Sequence, residues 1–497
     1  MTSGTPAGDT PIVDGADYSG TDRRNVAHGN GDLAGPSVDG AAQPVAALAA
    51  GDEASGIPGA HPPSLRVRRL IRRFTIDTRP LRHPAYRRLW SSSLVTAVGS
   101  QLTAVAVPKQ IYDITHSSGW IGIASFAGLA PLIVFGLWGG AIADAFDRRK
   151  LMLATNCGVA LTSIAFWIQA AIGVRSVWLL AGLMALQQAM FGLNSPARGA
   201  AIPRLVPKRE LAAANALGST TMLTGALFGP LLAGALIPII GLPTLYLIDA
   251  LGLTVTLWAV FRLPPLPPLR STDPDATGTD TTGPGTAPSA APPRRTGLAD
   301  VIDGFRFVSG KPLLALSFVV DLIAMVLGMP RALFPQIAAT TFASNHFALG
   351  FLYAAMPAGA LIGGLLSGTY TRLRRHGLMT IAAVATWGVA VTGFGLAGSL
   401  PVACAFMALG GAADFVSMVF RSAILQSTTP DDMRGRMQGV FIVVVTGGPR
   451  LADLVHGLGG AALGTRTATV AGGAAVFVCV LVLAALTPSY LRYKAAE

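Results

Sequence analysis

The sequence predicts an all-α integral membrane protein with twelve transmembrane helices in two related six-helix bundles. The first observation is composition: 52% of the 497 residues are hydrophobic and only 12% are charged, against about a quarter in soluble proteins. The second is a series of apolar runs of about 20 residues without the alternation of barrel strands. The third is an internal repeat. Together they indicate that lipid surrounds most of the chain.

Twelve apolar runs are each long enough to cross a bilayer as a helix, which satisfies its own backbone there. The first six lie near 92–114, 119–143, 150–172, 176–197, 213–237 and 243–262. The second six lie near 313–335, 347–368, 377–398, 401–425, 438–464 and 468–489. The eleventh run is the weakest, because four residues interrupt its apolar character: Pro449, Arg450, Asp453 and His456.

The two sets of six are related by one nearly constant shift along the chain, which carries Arg198 onto Arg421. Several other features superpose under that shift: "GG" at 139–140 and 363–364, Pro108-Lys109 and Pro330-Arg331, Pro207 and Pro430. Repeats in the same orientation usually enclose a substrate site near the middle of the membrane, and the two halves rock about it. The repeat therefore favours a transporter.

Basic residues occupy every second loop, which predicts the orientation of the chain. Lys and Arg concentrate in cytoplasmic loops, and here they cluster in 66–88, 148–150, 198–209, 262–311, 372–375, 434–436 and 492–494. The other loops keep only Arg175 and Arg466. Both termini are thus predicted to be cytoplasmic. The alternative for a chain of net charge +12, nucleic-acid binding, is disfavoured because the charge follows the loops.

Composition also predicts the segments outside the bundles. Residues 1–64 read as a disordered tail, 65–91 as a basic juxtamembrane segment, and 490–497 as a cytoplasmic C-terminus. A cytoplasmic Pro/Thr/Gly-rich linker, 263–312, separates the bundles 92–262 and 313–489. Three Cys within spans suggest neither disulfides nor a metal site. We expect no metal and no cofactor.

The loop between the second and third spans carries "GAIADAFDRR", that is Gly140, Asp144, Asp147, Arg148 and Arg149. It resembles the loop signature of the major facilitator superfamily. "PARGAAIPRLVPKRELAAANAL" and "STTPDDMRGRMQGV" are similar to the branch of enterobactin-type siderophore exporters and related drug efflux proteins. The resemblance implies the twelve-helix fold, alternating access and a small-molecule substrate. Ala145 and Asp147 depart from the usual Arg or Lys and Gly of the signature.

We interpret this loop as a conformational latch between the halves on the cytoplasmic side. Asp144 ends one helix near the positive N-terminus of the next, where a carboxylate is stabilised. Arg148 and Arg149 are able to pair with acids or phosphate headgroups. The alternative is that the bases only determine topology, which is our reading of Lys150.

The fifth span contains Gly225, Gly229, Pro230 and Gly234, in a pattern that resembles the antiporter signature of drug exporters. Glycines permit close helix contact and proline bends a helix. The resemblance implies export. Helix packing without functional meaning is the alternative.

Ionisable residues inside spans are functional candidates, because burying a charge in hydrocarbon is costly. Lys109, Asp321 and Asp414 lie in spans that line the cavity in the superfamily that the loop resembles. Asp321 is nearest a span midpoint and is the candidate for proton coupling. The alternative is a static pair with a base such as Lys109 or Arg331.

The remaining polar residues receive weaker predictions. Gln187 and Gln188 are substrate-binding candidates, although helix–helix contacts explain them, and Asn194, equally well. Asp249 is interpreted as structural. Arg450 and Asp453 are expected to form a local pair, and Arg198 and Arg421 to anchor the membrane interface.

The predicted function is secondary export of a small amphipathic molecule (a drug, antibiotic or siderophore) by proton antiport across a bacterial plasma membrane. We expect a monomer that binds lipid, protons and its substrate, and no nucleic acid. An importer of a small nutrient and a non-transporting scaffold or receptor are the alternatives. The sequence has no catalytic motif of the P-loop, HExxH or GxSxG type that predicts an enzyme.

Overall fold

The computed structural model describes residues 77–267, 298–430 and 433–493. Within these ranges every regular element is helical. The predicted disordered tail, residues 65–76 of the basic segment and most of the central linker lie outside the described residues, as does the side chain of Asp144.

The N-terminal half contains six labelled helices. They are α1 (Pro84–Thr115), α2 (Ser118–Ala127), α3 (Leu129–Ala145), α4 (Arg148–Ala171), α5 (Val177–Leu205) and α6 (Leu211–Phe261). Together α2 and α3 form one membrane span, which is interrupted at Gly128.

The C-terminal half begins with the amphipathic helix α7 (Leu298–Ser309). The next helices are α8 (Pro312–Gly328), α9 (Phe334–Thr340), α10 (Ala348–Leu365) and α11 (His376–Leu396). The last are α12 (Leu400–Thr428), α13 (Arg434–Leu463) and α14 (Thr465–Leu486). Together α8 and α9 form the seventh span.

The long helix α6 is two spans joined at Gly241, whose φ of 74° lies outside the helical region. Its first part runs parallel to α1, because Gly225 packs on Ala97 and Gly229 on Gln101. Its second part runs antiparallel, because Tyr246 reaches Gln110 whereas Thr256 reaches Thr96. The chain therefore reverses at Gly241.

Twelve spans result within the described residues, as the sequence predicts. Ten segments are long and apolar enough to cross a membrane. One of them, Lys208–Phe261, holds the two spans of α6, and the more polar α1 supplies the twelfth. The prediction of an all-α membrane fold in two six-helix sets is confirmed.

Two interruptions are not predicted by the apolar runs. The second span bends at Gly128, between α2 and α3. The seventh span leaves the α-helix at Met329–Pro330 and continues through the 3₁₀ turn Arg331–Leu333 before α9. Proline has no backbone N–H to continue a helix. Hydropathy averaged over a span does not register such breaks, because the helices on both sides are predominantly apolar.

The two halves meet at the end of the bundle that carries the α1–α2 turn, which we call the closed end. Helix α2 packs on α13 there, and a Cβ on Gly122 would overlap the carbonyl oxygen of Asp453. Ser118 Oγ donates a 2.9 Å hydrogen bond to the carbonyl of Gly457. Backbone contact this close requires glycine.

Helix α6 packs on α10 at the same end. A Cβ on Gly234 would lie 2.5 Å from the Cα of Gly350, and one on Gly350 would lie 2.7 Å from the carbonyl oxygen of Pro230. The shift that defines the internal repeat carries Gly234 onto Gly457. Both joints between the halves are therefore built on glycines, and the repeat relates one glycine of each joint to the other.

Candidate transport site

A buried ion pair lies inside the C-terminal half. Asp321 on α8 pairs with Arg421 on α12, and their side chains are only 7% and 11% exposed. Asp414, also on α12, places a carboxylate oxygen 3.9 Å from the Arg421 guanidinium and is 34% exposed. One arginine thus serves a sequestered carboxylate and an accessible one. A cation shared in this way is able to respond when either acid gains a proton.

The partners that the sequence suggests for Asp321 are wrong. Lys109 Nζ lies 2.5 Å from the carboxylate of Asp113, one helical turn away. Arg331 lies over the ring of Tyr353, with 5.8 Å from Cζ to the ring centroid. The prediction that Arg421 anchors the membrane interface is also wrong, because its low exposure places it in the protein interior. Its position in the sequence carries no signal that α8 lies opposite.

The ion pair belongs to one half only. In the first and seventh spans the shift that carries Lys109 onto Arg331 carries Gly99 onto Asp321, whereas Arg198 is the counterpart of Arg421. The N-terminal half therefore keeps the arginine without the acid. The pair is therefore not a feature that the two repeats share.

A polar bridge joins the halves at the closed end. Arg450 Nη1 donates a 3.0 Å hydrogen bond to Ser125 Oγ, which donates a 2.5 Å bond to Asp453 Oδ2. Ser125 belongs to α2, whereas Arg450 and Asp453 belong to α13. The expected local pair of Arg450 with Asp453 is therefore replaced by a link through the opposite half.

Asp249 is held between helices of the N-terminal half. Its Oδ2 accepts hydrogen bonds from Thr103 Oγ1 at 2.8 Å and from Ser163 Oγ at 2.9 Å. A Cβ on Gly99 would overlap its Oδ1, so α1 leaves room for the carboxyl group. These contacts join three spans and agree with the structural role that the sequence indicates.

The polar residues of α5 contact neighbouring helices. Asn194 donates a 2.6 Å hydrogen bond to Thr155 on α4. The Gln188 side chain packs against Gly128, at the bend of the second span. Gln187 is half-buried on the same helix. Helix–helix contact accounts for Asn194 and Gln188, and a role of Gln187 and Gln188 toward substrate stays a prediction.

The signature loop is tied to the end of α6 within its own half. Asp147 caps α4 by accepting a 2.8 Å hydrogen bond from the backbone N–H of Arg149. Arg149 donates a 2.5 Å bond to the carbonyl of Phe261, and the backbone of Arg148 donates to Leu266. Among the described residues no atom lies within 4 Å of a Cβ built on Gly140. The latch between halves stays a prediction.

The glycine pattern of the fifth span packs against two different helices. Gly225 and Gly229 face α1, where a Cβ on Gly225 would lie 2.8 Å from that of Ala97 and one on Gly229 would overlap Gln101. Gly234, one turn after Pro230, faces Gly350 of the other half. The pattern therefore includes one of the two joints between the halves.

Twelve spans in two repeated sets that are joined at one end, with a buried ion pair inside the second set, define a membrane transporter of the major facilitator type. The sequence model of the transmembrane secretion effector family matches residues 76–275 and 284–492. The chain belongs to this family of multi-pass membrane transporters, which is not a family of enzymes.

Relatives with assigned names support the same class. The chain is 30% identical over 409 residues to the enterobactin exporter EntS of Shigella boydii serotype 18. The alignment covers 81% of this chain and 92% of that protein. The enterobactin exporter EntS of Escherichia coli O1:K1 / APEC matches with the same identity and coverage.

Solved structures share the fold at low sequence identity. A bacterial homologue of the human lysosomal transporter Spinster, in an inward-facing and unoccupied conformation, superposes with a TM-score of 0.64 at 15% identity. The match covers 84% of this chain and 100% of that one. The nucleoside transporter NupG gives a TM-score of 0.59 at 12% identity, with 82% of this chain and 100% of that one covered.

Proposed function

We propose that this protein is a proton-coupled exporter of a siderophore-like, amphipathic small molecule in a bacterial plasma membrane. The observation that carries the proposal is the 30% identity to enterobactin exporters along 81% of the chain. The glycine pattern of α6, which resembles that of antiporters, supports the direction. Each chain contains both six-helix halves, so a monomer is proposed as the working unit.

The proposed orientation places the closed end outside the cell. Arg and Lys cluster at the opposite end of the described helices, at Arg88, Arg149, Lys150, Arg204, Lys208, Arg209, Arg262, Arg372, Arg374 and Arg375. In the part of the chain that the structure describes, the only Arg or Lys residues in the turns between spans at the closed end, or directly next to them, are Arg175 and Arg466. The distribution of positive charge supports a cytoplasmic location for the opposite end and for both termini.

The proposed alternating access uses one set of contacts between the halves at the closed end and a second set at the opposite end. The glycine joints and the Ser125 bridge close the outer end, and rocking of the halves separates them. In that second state the signature loop, with Asp144 and Arg148, reaches the other half and closes the cytoplasmic side. Mutually exclusive closure of the two ends is what transport requires.

Proton coupling is assigned to Asp414, Arg421 and Asp321. Asp414 is the more accessible acid and is the point at which a proton enters. Protonation of Asp414 removes its attraction for the Arg421 guanidinium. Arg421 then interacts with the Asp321 carboxylate alone. This change in the interactions of Arg421 shifts the equilibrium between the state that is open to the cytoplasm and the state that is open to the outside.

The first prediction tests direction. Inside-out vesicles containing the protein are expected to accumulate added iron-free enterobactin when their lumen is acidified, and to lose it when a protonophore collapses the gradient. Right-side-out vesicles loaded with the same compound are expected to release it faster than vesicles without the protein. Mass spectrometry of the filtered vesicles measures both fluxes.

The two alternatives give different results in that assay. An importer accumulates the compound in right-side-out vesicles supplied with an inward proton gradient. A scaffold or receptor gives no flux above vesicles without the protein in either orientation. Export that persists unchanged without a proton gradient contradicts proton coupling and leaves the direction of transport intact.

The second prediction concerns the closed-end bridge. Ser125→Ala removes both hydrogen bonds of the bridge and leaves the half-buried Arg450 and Asp453 without this partner. We expect the closed state to be destabilised by about 1–3 kcal/mol. The outer end then opens more often, so we expect a cysteine introduced at position 121 to react about tenfold faster with an impermeant maleimide. Ser100→Ala, on α1 away from the bridge, is the matched control. Equal labelling rates would argue against the bridge as a gate.

A further inference from the structure

The break in the seventh span brings a cation between the two halves. Between α8 and α9 the chain forms the turn Arg331–Leu333, which contacts α2 of the opposite half and α13. Leu333 of this turn is fully buried against Gly460. Interrupted helices at a repeat interface are where transporters of this kind place substrate and ion sites. Arg331 is therefore at the interface and not on the lipid-facing surface.

Arg331 is held in place but its charge is not neutralised. Its guanidinium lies over the Tyr353 ring, and the Tyr353 hydroxyl donates a 3.4 Å hydrogen bond to the Arg331 carbonyl. Among the described residues no carboxylate lies within 4 Å of the guanidinium, and no hydrogen bond from it is formed. An aromatic face supplies about 0.5–2 kcal/mol, which does not replace a counter-charge.

The internal repeat shows that the missing partner is particular to Arg331. Its counterpart in the N-terminal half, Lys109, is paired with Asp113 one helical turn later. The corresponding position one turn after Arg331 is Pro335, which has no charge. One half thus neutralises the cation at this position and the other half does not.

The surroundings of Arg331 add a second cation. The turn that carries Arg331 packs on α2 and on α13, and the polar bridge between Arg450, Ser125 and Asp453 joins the same two helices. Arg450 and Asp453 meet through Ser125, as described above. Among the described residues, two guanidinium groups and one carboxylate therefore lie along the contact of this turn with α2 and α13, and the carboxylate is bound to Ser125. An excess positive charge at this depth is costly unless a ligand compensates it.

We propose that Arg331 and Arg450 form a binding site for an anionic group of the transported molecule, a carboxylate or an acidic phenol. This inference rests on the proposed export function and names its substrate class. The planar guanidinium group presents several N–H donors in a geometry that matches two acceptor oxygens. A bound anion supplies the negative charge that the described residues lack, next to the bridge that closes the outer end.

Direct binding tests the proposal with a matched pair of probes. The full-length protein in phosphatidylcholine nanodiscs is titrated with 2-naphthoate and with the neutral 2-naphthamide by isothermal calorimetry at pH 7. We expect naphthoate to bind at least about tenfold more tightly, which corresponds to about 1.4 kcal/mol. Equal affinities for the two compounds would overturn the assignment.

Variants locate the effect. Arg331→Gln is expected to raise the Kd for naphthoate about tenfold and to leave that for naphthamide unchanged, whereas Arg331→Lys keeps most of the affinity. Arg466→Gln changes an arginine in the first turn of α14, at the same end of the bundle, and is the control. Naphthoate binding that Arg331→Gln does not weaken overturns the proposal, and thermal unfolding of the same samples verifies folding.

A lipid headgroup offers the same anionic chemistry, and a second arm separates the two sources. In nanodiscs containing phosphatidylglycerol, naphthoate affinity is expected to stay within about threefold of its value in phosphatidylcholine. If phosphatidylglycerol strongly lowers the naphthoate affinity of the native protein but not that of Arg331→Gln, the site binds lipid, and a substrate role is contradicted. The binding assay uses no proton gradient and measures no transport. Its result therefore does not depend on whether the vesicle assay detects export.

Discussion

Arg421→Gln is expected to abolish export and to destabilise the protein by about 3–5 kcal/mol, the cost of removing one partner from a buried ion pair. The Asp321 side chain is only 7% exposed and has Arg421 as its cation. Without that cation the carboxylate must either remain charged in a poorly solvated site or take up a proton. Either outcome removes the balance between Asp321 and Asp414 on which the proposed coupling rests. Thermal unfolding and enterobactin flux in vesicles measure the two effects.

The double variant Asp321→Asn with Arg421→Gln separates structure from coupling. It replaces the ion pair with two neutral amides, so we expect stability to return to within about 1–2 kcal/mol of the native protein. Export driven by a proton gradient is expected to remain absent. Arg198→Gln is the matched control, because this residue is the counterpart of Arg421 in the half without the acid. Gradient-driven export by the double variant would show that the pair has no coupling role.

Gly234→Val is expected to prevent closure of the closed end and to reduce export by up to about 100-fold. A Cβ at this position would lie 2.5 Å from the Cα of Gly350, so the backbone of α10 would have to move. Overpacking of this kind costs about 1–3 kcal/mol, and about 2.7 kcal/mol changes the ratio of two states about 100-fold. The protein should still fold, since each half is able to retain its own packing while the joint opens.

The predicted change is measured as a distance between the halves at the closed end. Spin labels at positions 117 and 463, in a background without the three native cysteines, are expected to move apart in Gly234→Val. Gly218→Val is the control, because Gly218 lies on the same helix and, among the residues described, has no atom within 4 Å of a built Cβ. An unchanged distance distribution in Gly234→Val, or the same shift in Gly218→Val, would contradict the role of the joint.

The signature loop illustrates how far a motif predicts function. The spacing of Gly140, Asp147, Arg148 and Arg149 resembles a superfamily loop, and the structure places these residues around the junction of α3 and α4, where such a loop belongs. Among the described contacts, Arg149 donates a hydrogen bond to Phe261 at the end of α6, and the Arg148 backbone donates one to Leu266 in the segment that follows. Under the alternating access that we propose, these contacts belong to one of two states, and the contact with the other half belongs to the second. The motif identifies the loop, and the state of the molecule determines what it touches.

The glycines of α6 show a similar division. The pattern of Gly225, Gly229 and Gly234 predicts close helix packing, because the three recur about once per helical turn. The sequence holds no information on which helix each glycine meets. Gly225 and Gly229 contact α1 in the same half, whereas Gly234 contacts α10 in the other. Only that last contact is broken when the halves separate.

The sequence by itself determined that lipid surrounds most of the chain, how many spans there are, how they divide into two repeated sets, and which family the protein belongs to. These properties depend on hydropathy, loop charge and local motifs, each of which is contained within a short stretch of chain. Only the tertiary structure decided that Asp321 pairs with Arg421, that Arg450 and Asp453 meet through Ser125, and that Arg331 has no counter-charge among the described residues. Such contacts join side chains that are distant in the chain and lie on separate helices. Helix rotation and the breaks at Gly128 and Pro330 decide which of them face each other.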